Sequence, residues 1–348
     1  MKKVYLEKLE QLQKIMDDSE NSVFISYSKV LVLTTLIMRY EAIAFNKHLS
    51  KHPYILTNYL VEDAIKTFEH FQEMAFIGDD KIVMKGKSQY QEEKHEELFN
   101  TIWNKYNEKE FLNYIRRYEE RIDFNGLNEL IVNKDCVDFG SGNGVFSFAM
   151  LKKGANTVTG IDFGSDSILF AKKYSDVNLL VSKTEFRVAT VYDTKLESNK
   201  YDFLVQNGVF HHLDDENLAI KEAKRVLKKD AWMWYYTAGE GSIVRDLLSV
   251  GVYLLKDISS DFINQSLSGM GVKREKIAHI MDALSATYRL TTWNEITTRL
   301  SGFGFGNFKR MSGGTKTDFD LDVIEKDPYG KEKFGEGDLR VLCQLLDK

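Results

Sequence analysis

Apolar positions recur at helical spacing over Leu6–Ile15, Val30–Phe45, Val61–Phe71 and His95–Tyr118, so residues 1–120 read as a mostly helical domain. Between the last two stretches, 75–85 carries two short apolar runs around Gly78-Asp79-Asp80, the pattern of a β-hairpin. Beyond residue 120, strand-like runs take over. Cys136, Val137 and Phe139 form the apolar run of a buried parallel strand, and Val145–Lys153 reads as a helix. Further strands are expected at Thr157–Asp162, Phe186–Val191, Tyr201–Val205 and Trp232–Thr237. Residues 239–290 interrupt the series with helical stretches at Ile243–Leu255 and Arg274–Ala286. Thr291–Leu300 then reads as a helix that Thr292 can cap, with Glu295 placed for a capping box.

The chemistry concentrates where the first strand ends, at Val137-Asp-Phe-Gly-Ser-Gly-Asn-Gly144. Gly140, Gly142 and Gly144 let the backbone turn tightly with no Cβ in the way of a ligand. A dinucleotide fingerprint has Gly-x-Gly-x-x-Gly and a helix N-terminus aimed at a pyrophosphate, where a neighbouring carboxylate is unwelcome. Here the spacing is Gly-x-Gly-x-Gly and Asp138 stands just before it, which suits a cofactor carrying a cation. A nicotinamide dehydrogenase remains the competing reading, because Asp162 at the end of the second strand also suits a ribose.

Val137–Gly144 resembles motif I of the class I S-adenosylmethionine-dependent methyltransferases. The resemblance runs from about Asp135 to Tyr236, and Phe303–Arg310 and Leu339–Leu346 resemble the last two strands. It implies an α/β fold: a Rossmann-like seven-stranded sheet, with a helical insertion over the active site. The implied cofactor is S-adenosylmethionine, leaving as S-adenosylhomocysteine. Asp138, Gly140, Ser141, Gly142 and Gly144 line the implied cofactor site, Asp162 holds the ribose hydroxyls, and Phe163 packs on the adenine. Thr190 stands where many members carry an adenine-contacting Asp, beside Val191, with Asp193 as a substitute. Asn207 and the segment to His212 pass the methionine end. His211 and His212 are the candidate catalytic bases. Tyr236, Arg245, Tyr288 and Trp293 are the candidate acceptor contacts, and Tyr235, Glu240 and Arg289 lie in the same stretches. The N-terminal helices followed by a hairpin resemble the winged-helix-like domain of small-molecule O-methyltransferases, which serves dimerisation and covers the active site.

Composition narrows the partners. With 43% hydrophobic and 28% charged residues over 348 positions, the chain is that of a globular protein long enough for two domains. Its N-terminus lacks the pattern of a secretory signal, and the apolar stretch Val23–Met38 is shorter than a membrane span, so a cytoplasmic protein with no membrane partner is expected. A winged helix can also bind DNA, as in a cofactor-sensing regulator. Residues 1–120 carry 17 basic against 20 acidic side chains, which argues against nucleic acid. Cys136 and Cys343 are too few for a disulfide framework, and no metal site is expected; His48 and His52 lack the companions of one. The acidic, glycine-rich stretch from Thr317 to Arg340 reads as a solvated loop. The expected protein is a methyltransferase with a lid or dimerisation domain at 1–120 and a catalytic domain at 121–348. Residues 239–290 form its substrate roof. The acceptor is a small molecule, with oxygen favoured over nitrogen, carbon or a macromolecule.

Overall fold

The computed structural model describes residues 1–75, 108–272, 277, 280–281, 289–314 and 318–347. The expected hairpin, the first part of the helix expected at 95–118, and most of 274–286 lie outside them. The chain divides into two compact units. One comprises Met1–Leu98, Gly241–Thr287 and Asp322–Gly335; the other comprises Phe99–Glu240, Tyr288–Leu321 and Glu336–Lys348.

The first unit is helical. Helices Lys2–Asp17, Val23–Ala44 and Pro53–Ala75 pack together, and Ile243–Leu255 and Ser260–Gly269 pack on the second of them. Tyr5, Leu9, Leu12 and Met16 recur on one face of the first helix and are buried. Ser22 caps the second helix by accepting the Ile25 N–H. That helix runs longer than its apolar stretch suggested, and by length and composition it could cross a membrane; 61% of its most apolar window is buried inside the protein. Residues 241–287, expected as an insertion of the catalytic domain, are thus grouped with the N-terminal helices, as are 322–335.

The second unit is a seven-stranded sheet in the order β3-β2-β1-β4-β5-β7-β6. Its strands are β1 Asp135–Phe139, β2 Thr157–Asp162, β3 Thr184–Val188, β4 Tyr201–Asn207, β5 Leu227–Ala238, β6 Phe305–Met311 and β7 Asp338–Leu345. The first five are parallel, and β7 runs antiparallel between β5 and β6. This is the Rossmann-like fold expected. Helix Glu108–Phe124 packs on helix Val145–Lys152 and buries Phe111, Ile115 and Ile122 beside the sheet, so the division between units precedes it rather than falling at residue 120. Cys136 and Cys343 are buried in strands as free thiols.

Two strands differ from their expected bounds. β3 stops at Val188, where the Ala189 N–H gives the last ladder bond to the Asp162 carbonyl, and Thr190 and Val191 lie in a loop. β5 begins at Leu227, directly after helix Glu216–Val226, and Lys228–Ala231 is strand rather than turn; Asp230 adopts φ +63° there. The helix with the Thr292 cap spans Trp293–Gly302, and its capping box with Glu295 is complete.

Order in the sequence puts β4 beside β1, so consecutive connections leave to opposite sides at that point. In open α/β sheets such a switch opens a crevice outside the strands' carboxyl ends. Gly160, in the middle of β2, shows how tightly the sheet is covered. A Cβ there would lie 2.5 Å from the Phe186 ring and 2.8 Å from Ser141 Oγ. Gly160→Ala should therefore lower stability by about 1–3 kcal/mol through overpacking, read as the midpoint of urea unfolding; an unchanged midpoint would mean that Phe186 yields freely.

Candidate active site

The loops after β1, β2 and β4 come together at the carboxyl ends of those strands. After Phe139 the chain turns through Gly140, whose N–H and that of Ser141 both donate to the Ile161 carbonyl at 2.7 and 2.9 Å. Gly140 has φ +73°, and a Cβ there would lie 2.2 Å from the side chain of Val209, on the loop after β4. Glycine is what lets these two loops touch.

Asp162 ties the site together. Its carboxylate accepts the Gly142 N–H at Oδ2 and the Gly164 N–H at Oδ1, both at 2.8 Å. Phe163 beside it is 37% exposed, an aromatic surface at the mouth of the crevice. Ser141 Oγ is buried with no hydrogen-bond partner among the described residues. A Cβ on Gly142 would meet nothing within 4 Å, so the turn faces open space.

Asp138 lies deeper, 2% exposed, where its Oδ2 accepts the Ser147 hydroxyl at 2.7 Å. Burial, with the Asp162 charge adding to it, pushes its carboxyl up to about 7 against the Ser147 hydrogen bonds. A bound cation would reverse that. Thr190 is exposed and accepts the Tyr192 N–H, whereas Val191 turns its side chain into the core and leaves only its main chain to a ligand. Asp193 is exposed and paired with Lys195.

The loop after β4 is built by Gln206, which the sequence reading missed. Its Oε1 accepts the Val209 and Phe210 N–H groups, and its Nε2 donates to the Tyr236 carbonyl at 3.0 Å. The 3-10 turn Phe210–His212 follows. His211 is buried, with its ring 4.0 Å from that of His212 and edge-on to Tyr236 at 6.1 Å. At Gly208, φ +85°, a Cβ would stand 3.2 Å from Tyr236 and 3.8 Å from His211 Cε1. His211 and Tyr236 thus flank the same glycine. Asn207 is fixed at both ends of its amide, donating to the Tyr118 hydroxyl at 3.2 Å and accepting the Trp234 indole N–H at 3.3 Å.

The other acceptor candidates disperse. Tyr235 points into the core and donates to Glu216, which Arg299 also holds. Arg289 pins the histidine turn: its N–H donates to the His211 carbonyl, and its guanidinium donates to the Leu213 and Asp214 carbonyls. Trp293 packs on the core with the Arg310 guanidinium 5.7 Å from its ring. Glu240 is exposed. Arg245 belongs to the helical unit, and Tyr288 lies outside the described residues.

The acidic stretch is not a solvated loop. Asp318, Asp320 and Asp338 are buried around Arg340, whose guanidinium donates to them at 2.8, 2.6 and 3.3 Å. Asp338 also accepts the Tyr236 hydroxyl at 3.2 Å. The buried counter-ion, unseen in the local pattern of acids, is the reason. Among the described residues no three His, Cys, Asp or Glu side chains are grouped to hold a metal ion.

Asp138 gives a signed prediction. Its folded value of about 7 lies above the ordinary carboxylate value, so the stability it contributes is present at low pH and is lost as pH rises through about 7. Asp138→Asn should raise the melting temperature at pH 8 but not at pH 4, with an upper bound of about 4 kcal/mol at the higher pH. Equal differences at both pH values would show that Asp138 does not titrate in this window.

Comparison with known proteins agrees with this geometry. Residues 137–235 match a family described as a methyltransferase domain. The chain is 30% identical over 132 residues to the ubiquinone biosynthesis O-methyltransferase of Actinobacillus pleuropneumoniae, covering 36% of this chain and 55% of that one. It is 31% identical over 115 residues to the tRNA U34 carboxymethyltransferase of Campylobacter fetus, covering 32% of this chain and 40% of that one. The chain thus spans about half the length of the curated relatives it matches. Among solved structures it is similar to the YcgJ protein of Bacillus subtilis, with a TM-score of 0.44, 13% identity, and coverage of 66% of this chain and 99% of that one. With motif I, the acid ending β2 and the family match on one sheet, the chain carries a class I S-adenosylmethionine-dependent methyltransferase domain.

Proposed function

We propose that this protein transfers a methyl group from S-adenosylmethionine to a hydroxyl of a small molecule. The single observation that carries the reading is the carboxylate of Asp162 at the end of β2, tied to the main-chain N–H groups of Gly142 and Gly164 beside the glycine turn, with the buried acid Asp138 behind it. The residues present fit the adenosyl cofactor: Asp162 for the ribose, Phe163 for the adenine face, and the unpartnered Ser141 hydroxyl and Asp138 for polar and cationic parts.

The cofactor, when bound, supplies a methyl group activated on a sulfonium. The protein's task is to hold the acceptor oxygen about 3 Å from that carbon and in line with the breaking bond. His211 is read as the base, taking the hydroxyl proton at a ring nitrogen as the oxygen attacks. Tyr236 and Gly208 shape the wall beside it. Oxygen is favoured by this histidine and by the ubiquinone-pathway relative, whose name states O-methylation. In the same proposal the helical unit serves acceptor selection and dimerisation, and the enzyme works in the cytoplasm.

Calorimetric and thermal-shift titrations test the cofactor. S-adenosylmethionine and S-adenosylhomocysteine should each stabilise the fold, by about 2.7 kcal/mol at 100 times the Kd, and NAD⁺ should not; binding of NAD⁺ alone would overturn the reading. A labelled-methyl assay against phenols, aliphatic alcohols, amines and bulk tRNA then identifies the acceptor class. With an accepted hydroxyl, His211→Ala should slow turnover about 10²- to 10⁴-fold while His212→Ala stays within about threefold. Equal, small losses in both variants would remove the base from the mechanism.

A further inference from the structure

We infer that Arg340 is a positioning residue for the acceptor side of the cleft, holding Tyr236, and through it His211, against the Gly208 turn. This rests on the reading of His211 and Tyr236 as acceptor-side groups.

Tyr236, near the end of β5, pairs with Asn207 at the end of β4. Its side chain is held on two sides. The hydroxyl donates to Asp338, and the Arg340 guanidinium lies 4.8 Å from the ring centroid. Arg340 is 3% exposed and is itself fixed by three carboxylates. Its Cζ sits over the Tyr236 ring while its N–H groups reach Asp318, Asp320 and Asp338, a combination that suits a planar guanidinium and that an ammonium lacks.

The chain of contacts continues beyond Arg340. Asp318 also faces Arg121 at 3.8 Å, and Arg121 donates to the Gly313 carbonyl at 2.8 Å. The Arg121 guanidinium lies 4.9 Å from the Tyr118 ring, and the Tyr118 hydroxyl accepts from Asn207. A belt therefore runs from the end of β4, through helix Glu108–Phe124 and the start of β7, to the end of β5. Asn207 and Tyr236, neighbours across the sheet, are braced from both ends of that belt. Arg340 contacts both the carboxylates and the ring facing His211. Simple neutralisation of the three acids would need a cation but no particular shape. The stacked, forked geometry serves Tyr236.

The test compares wild-type protein with Arg340→Lys and Asp338→Asn, using ¹³C-labelled histidine spectra and S-adenosylhomocysteine titration. The His211 signal is assigned by its loss in His211→Gln. Expected is a His211 signal that shifts or broadens in both variants, with His48, His52 and His70 unmoved and the S-adenosylhomocysteine Kd within about threefold of wild type. Failure of Lys to restore the wild-type His211 signal is part of the expectation. A His211 signal that coincides with wild type in Arg340→Lys overturns the proposal, since charge alone then suffices. Movement of every histidine signal also overturns it, as a global effect. Should Arg340→Lys not fold, Asp338→Asn, which keeps the shape and removes the acceptor charge, decides by the same signal. If wild-type protein binds no S-adenosylhomocysteine, the methyltransferase reading fails, while the His211 comparison still decides whether Arg340 positions it.

Discussion

One carboxylate organises the cofactor side of this protein. Asp162 reaches from the end of β2 to main-chain N–H groups of two different loops, the glycine turn after β1 and the entry to helix Ser165–Val177. Charge-assisted bonds of this kind are about twice as strong as neutral ones, and they fix backbone rather than side chains. The crevice is therefore shaped before any ligand arrives. Gly140 and Val209 close it from the other side, where the loops after β1 and β4 come into van der Waals contact.

The ends of β4 and β5 obey a different logic. There side chains are held by other side chains, through Asn207, Tyr118 and the buried arginine with its three acids, while Gln206 fixes the main chain of the turn. Burying such charges is costly, and it is tolerated because every carboxylate meets a guanidinium or a main-chain N–H. Burial pushes Asp320 above the usual carboxylate range while Arg340 works against it, and the Gly313 N–H adds to that opposition. Backbone fixes the cofactor half; a polar network fixes the other half.

This difference explains what the sequence disclosed. Parallel strands buried on both faces are near-continuous apolar runs, so β1, β2, β4 and β5 were legible, and the motif I turn announced itself by three glycines behind an acid. Thr292 and Glu295 signalled their helix start locally, and the capping box formed as spaced. The network was illegible because its members lie far apart: Arg121 and Asp318 are separated by almost two hundred positions. Three acids near a chain end look solvated until the arginine among them is seen to be buried. Gln206 offered a local signal, since with Asn207 it makes a polar pair that ends β4 after the apolar run Phe203–Val205. Val191, expected at the adenine, was drawn into the core because an apolar side chain beside a loop has more to gain there than at a wet rim.

The helical unit is assembled from three separated pieces of chain, 1–98, 241–287 and 322–335. During synthesis its first helices leave the ribosome long before the last piece exists. At ordinary elongation rates of about 5–20 residues per second, the roughly 260 residues between the end of helix Pro53–Ala75 and Gly335 take about 13–52 s. For roughly the first 195 of those residues, about 10–39 s, the apolar helix Val23–Ala44 lacks the helices Ile243–Leu255 and Ser260–Gly269 that pack on it. The sheet unit also closes late, since β7 must insert between β5 and β6. Neither unit has all its pieces before the other is nearly complete, so the nascent chain carries apolar surface that only its later segments cover.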